Sequence, residues 1–166
     1  MDKIKVESMK SLNDIDVSVV KMNINRKYRN YPDNINVEHE VSIQNGNTVE
    51  EYFIKIGARC FSKEYIDDTE YTEDTSDIDR REEIANYEIL FFIESKFTEK
   101  YLNKLERNIK NKNEYICEIL NSTIIAAYPH MKKYLSFIAN TLEINDTLEV
   151  MDFIQTADNI KHGIKE

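Results

Sequence analysis

The sequence predicts an α+β protein in which the strands come first and the helices last. Residues 15–97 hold four strand-like segments, with no helical pattern between the first three. Residues 35–44 alternate apolar and polar side chains without a break, as in a strand with one buried and one wet face. Residues 116–138 carry an apolar stripe stepping by three and four, the period of a helix. A chain of 166 residues is by default one domain, here residues 1–166, and buries enough surface to need no staples.

Residues 1–13 are polar and predict a frayed start. Ile15, Val17 and Val19 alternate with Asp16 and Ser18, and the apolar series continues less cleanly through Val20, Met22 and Ile24. A polar, basic loop at 26–34 contains Tyr31-Pro32-Asp33-Asn34, a turn signal. The second strand (Ile35, Val37, His39, Val41 and Ile43 on its apolar face) ends at Asn45-Gly46, which predicts a type I′ hairpin turn. The third strand follows at 48–61. Ile54, Ile56, Ala58 and Cys60 make one face of it, and Phe53, Lys55, Gly57, Arg59 and Phe61 the other.

Residues 62–86 form an acidic insertion, with nine carboxylates between Asp67 and Glu83. They contain no glycine for a calcium-loop turn, so a solvated loop is expected, with a helical turn at 78–85. The fourth strand, 86–97, is apolar on both faces: Tyr87, Ile89, Phe91 and Ile93 on one, Leu90 and Phe92 on the other. Thr98 is placed to cap a short helix through Leu102, Leu105 and Ile109. The long helix carries an internal proline, Pro129, which predicts a kink or a junction of two helices. Ile125, Phe137 and Ala139 lie off its main stripe and suggest a second contact, with another subunit. An extended apolar piece at 148–153 and a terminal helix at 152–161 complete the chain.

No residue set announces chemistry. The three glycines, Gly46, Gly57 and Gly163, cannot build a phosphate-cradling loop. His39, His130 and His162 are far apart, and none pairs with a carboxylate at ligand spacing. His39 reads as a core or interface residue. Cys60 and Cys117 lack a CxxC partner and read as buried, reduced thiols. The net charge of −9 repels phosphate, which argues against nucleic acid and favours polypeptide partners. No apolar leader opens the sequence and no run reaches membrane-spanning length, so a cytoplasmic protein without membrane insertion is expected.

Several stretches together resemble the SecB family of export chaperones. Residues 121–131 read NSTIIAAYPHM, similar to the family's apolar run ending in Pro-Tyr, with the order here Tyr128-Pro129. Residues 148–153 read LEVMDF, similar to the family's extended segment ending in Asn-Phe. VEHEVSIQNG, TVEEYFIKIGARCF and ANYEILFFIE follow the family's strand order, and the resemblance spans residues 15–157. Where the family carries acidic residues late in its first strand, this chain reads Lys21-Met22-Asn23-Ile24-Asn25-Arg26.

The resemblance implies a four-stranded antiparallel sheet with C-terminal helices packed on one face, assembled as a homotetramer, a dimer of dimers. It implies an ATP-independent holdase, not an enzyme, that needs no cofactor or metal. Its partners would be unfolded polypeptide clients, together with the SecA translocation ATPase in export or an antitoxin in a dedicated version. Client-binding grooves would draw on Tyr52, Phe53, Phe61, Phe92, Phe97, Tyr128 and Met131.

Overall fold

The computed structural model describes residues 12–27, 35–62, 82–145 and 148–163. Four strands, β1 (Leu12–Arg26), β2 (Ile35–Asn45), β3 (Glu51–Ser62) and β4 (Glu83–Phe97), form one antiparallel sheet in the order β1-β4-β3-β2. Three helices follow: α1 (Glu99–Asn108), α2 (Lys112–Leu142) and α3 (Val150–Gly163). β2, β3 and β4 are a meander, and β1 lies beside β4, which is a Greek-key order. A four-stranded antiparallel sheet followed by helices is what the sequence resemblance implied; the strand order is added by the structure. The turn expected at residues 31–34 and the acidic insertion at 63–81 lie outside the described residues.

The sheet's inner face is the core. Ile54 and Ile56 on β3 and Ile89, Phe91 and Ile93 on β4 are fully buried. α2 lies over β1 and β4 with Ile119, Ile124, Met131, Ile138 and Leu142 turned inward, and α3 packs on α2 and β2 through Phe153 and Ala157. Burying each large aliphatic side chain contributes roughly 1.5–3 kcal/mol, so this layer dominates stability. One polar contact is built into it: the hydroxyls of Ser95 on β4 and Thr123 on α2 are buried and 2.9 Å apart. The Ser95 hydroxyl also donates to the Glu50 carbonyl. Cys60 and Cys117 are both buried.

Local chemistry sets the helix ends. The Thr98 hydroxyl accepts from the Tyr101 N–H, and the Asn111 side chain accepts from the Asn113 N–H. α2 runs through Pro129 as a single helix. It ends at Glu143, which takes a left-handed conformation (φ 54°) without being glycine. The Glu143 carboxylate accepts from Arg26 at 3.2 Å, which ties the helix end to the end of β1.

Four expectations change. The β2–β3 hairpin forms, but not through a type I′ turn: Gly46 has no positive φ, and β3 begins at Glu51 instead of 48. A two-residue Asn45-Gly46 loop would set Thr48 opposite Ile43 and Glu50 opposite Val41. The longer link sets Ile54 opposite Ile43 and Ile56 opposite Val41, so apolar pairing decides the register. Gly46 is required for a different reason, because a Cβ there would fall 2.5 Å from the Glu51 Cβ.

At 78–85, residues 83–85 are strand, not a helical turn. Ile84 and Ala85 are buried, and Ala85 pairs with both Arg26 and Cys60. The piece at 148–153 is extended only at Leu148 and Glu149. The Asp152 carboxylate accepts from the Glu149 N–H at 2.7 Å and starts α3, whose Val150, Phe153, Ile154 and Ala157 share one face. His39, expected in the core or at an interface, has an exposed side chain, so it is no core residue. It stands at the mouth of an open cleft between β2 and α3, with Leu148 and Asp152 opposite.

Candidate functional site

The sheet's outer face is built as a ladder of cross-strand rows. Asp16 on β1, Glu94 on β4 and Glu51 on β3 form an acidic row. The next row along the strands is Ser18, Phe92, Phe53 and Gln44, and the one after it Lys21, Leu90, Lys55 and Ser42. Beyond it stand Asn23, Glu88, Gly57 and Glu40. Paired residues share a face, so each row is a line of neighbours across the sheet.

At the centre of this face the Phe53 and Phe92 rings meet at 5.0 Å and 44°, with Leu90 beside them, all half-buried. β1 adds a bulge between Val19 and Lys21. Val20 is its extra residue and is 55% exposed. The contacts that fix the helices on the sheet, Ser95–Thr123 and Phe91–Tyr134, lie on the other face. Among the described residues the helices leave the outer apolar patch open, where an ordinary two-layer protein puts polar groups.

Electrostatics frame the patch. Glu88 accepts from Lys55 at 2.7 Å and from Lys21 at 3.0 Å, joining three strands. Those hydrogen bonds hold the Glu88 carboxyl below its usual range, and the bond to Glu88 raises Lys55. The Arg59 guanidinium lies 5.6 Å from the Phe61 ring centre.

Of the seven residues expected to bind clients, the structure brings Phe53 and Phe92 together on this open face. Tyr52 and Met131 are fully buried in the core. The Tyr52 hydroxyl donates to the Val49 carbonyl at 2.6 Å, and burial pushes its pKa up. Phe61 and Phe97 are also buried, and Phe97 packs on Tyr101 at 5.3 Å. Tyr128 is half-buried on α2, where its hydroxyl donates to the Leu148 carbonyl at 2.8 Å and to Glu149 at 3.2 Å. Leu90 and Val20 complete the patch without having been singled out as binding residues. Strand alternation places Leu90 beside Phe92, but nothing in the pattern distinguishes a bulged Val20 from a paired one.

α2 carries a second exposed apolar group, Phe137 at 58%, beside the partly exposed Tyr134. Among the described residues no cluster of His, Cys, Asp and Glu is arranged to hold a metal. Among the same residues no helix is long and apolar enough to cross a membrane.

No family model matches the chain, and no curated protein matches it. Among solved structures it is similar to a SecB-like chaperone of Mycobacterium tuberculosis, determined in complex with a peptide from an antitoxin. The identity is 12%, the match covers 89% of this chain and 95% of that one, and the TM-score is 0.43.

Proposed function

We propose that the protein is an ATP-independent holdase that captures exposed apolar segments of unfolded chains on the outer sheet face. The observation that carries this is the Phe53–Phe92 pair with Leu90 and Val20, an apolar patch that the described helices leave open on a sheet whose other face carries the core. Apolar burial scales with area and is indifferent to sequence, which suits broad clientele. Patches of this kind on a soluble protein mark interaction surfaces. The sequence resemblance to export chaperones supports the same reading, as do its implied cytoplasmic location, tetrameric assembly and lack of any cofactor. The lysines and carboxylates around the patch would steer client flanks and leave the apolar contact to supply the affinity.

The test is aggregation of a chemically unfolded client, followed by light scattering without nucleotide. The protein is expected to suppress scattering, and Phe92→Glu to lose most of that effect while keeping its circular dichroism. No suppression at any ratio would sink the proposal. Recovery from cell extract of one stoichiometric partner, an antitoxin for example, in place of a broad client mixture would assign the face to a dedicated role. SecA as a partner is tested by the same recovery experiment.

A further inference from the structure

The outer face is charged asymmetrically along the strands. On one side of the Phe53–Phe92 row stands the acidic row of Asp16, Glu94 and Glu51, and on the other the row with Lys21 and Lys55. Consider a second copy laid face to face and related by a two-fold axis that runs across the strands, along the phenylalanine row. Each strand then faces its own counterpart with the chain direction reversed. The phenylalanines meet phenylalanines, and every row on one side of the axis meets the corresponding row on the other. Asp16 comes over the second copy's Lys21, and Glu51 over its Lys55.

An isologous contact repeats each pair twice, so this arrangement sets four carboxylates against four lysines around an aromatic centre. The alternative axis, along the strands, would stack acidic row on acidic row. Lys21 and Lys55 each remain about half exposed although both touch Glu88, so each keeps donors for a second carboxylate. Sheets that pack face to face lie about 10 Å apart and within about 30° of parallel, a spacing that long lysines and glutamates span.

We infer that the outer sheet face pairs with a second copy of this chain in that orientation, through Phe53 and Phe92 with Asp16–Lys21 and Glu51–Lys55 contacts at its rim. This surface is distinct from the face of α2 around Phe137, where the sequence suggests a contact with another subunit. The inference stands independently of the holdase reading. If both hold, self-pairing and client capture compete for one face, and the pairing is a resting state from which clients displace a partner.

The experiment is sedimentation equilibrium across protein concentration, without client. Asp16→Lys and Lys21→Asp are each expected to raise the dissociation constant of the pairing about tenfold, from two lost pairs and new like-charge contacts. The double swap, Asp16→Lys with Lys21→Asp, restores association, which a merely structural role for either residue does not predict. Phe92→Glu abolishes the pairing.

A second arm uses cross-linking with a short bis-maleimide. Ser18→Cys, on the axis row, is expected to link to its own counterpart. Asn25→Cys, about 20 Å along the strand, is expected not to link. Equal association of the wild type, both single variants and Phe92→Glu would overturn the inference, as would linking at Asn25→Cys but not at Ser18→Cys. A monomeric wild type whose aggregation suppression is lost in Phe92→Glu would overturn it as well and assign the face to clients alone.

Discussion

Tyr128 ties α2 to the link that leads into α3 through a single hydroxyl. It donates to the Leu148 carbonyl and to Glu149, while its ring packs 6.1 Å from Phe153. Burial, then the bond to Glu149, pushes its pKa to about 12 from the ordinary 10.0. Because the folded state holds this proton more tightly than the unfolded chain, the resulting stabilisation is complete below pH 10.0 and is lost as pH rises through about 12. Tyr128→Phe removes both hydrogen bonds and leaves the Leu148 carbonyl unpaired, so it is expected to cost about 1 kcal/mol at neutral pH. Denaturant titrations at pH 7 and at alkaline pH check both parts. The variant should start less stable than the wild type, and the gap should close at the alkaline end. A gap that stays constant would mean that this hydroxyl does not titrate as described.

β4 shows how one element divides its work between two faces. Phe91 is fully buried against α2, whereas its neighbour Phe92 looks outward onto Phe53. Phe91→Ala is expected to cost about 3–5 kcal/mol, the loss of a filled aromatic site, and Phe92→Ala about 1 kcal/mol or less. Urea unfolding of the two variants at a concentration where the chain is monomeric is the check, and equal losses would contradict the layer assignment. Alternation alone separates these two residues in the sequence and also foretells the four strands, while three-and-four spacing foretells the short capped helix and the inward stripe of α2. What it cannot supply is the choice between equivalent registers. Asn45-Gly46 carries the local signal for a tight turn, yet pairing Ile43 with Ile54 outweighs it, and that gain is visible only when both strands are considered together. The start of α3 was hidden similarly, because Leu148 to Phe153 is apolar enough for a strand until the Asp152 carboxylate caps the Glu149 N–H. The aromatic site was half legible. Tyr52 and Phe53 are neighbours of the same chemical class, and only the direction of β3's pleat decides that one is core and the other surface.

At the scale of the whole molecule, one sheet carries helices on its inner face, and among the described residues β1 and β2 are its rims. β1 is 15 residues long, and a flat apolar rim of that length is a template onto which further chains can add without limit. Val20 interrupts it. Its neighbours Val19 and Lys21 face Phe91 and Leu90, which are adjacent in β4, so the extra residue bends β1 at mid-length and breaks the even spacing of its outward amides. Deleting Val20 would leave the pairing with β4 intact and straighten the rim. The shortened chain is expected to fold but to form thioflavin-positive fibres at concentrations where the natural chain stays clear, and clear solutions of both would refute this. The bulge is thus placed as a terminator: one surplus valine breaks the repeat onto which a further strand would add.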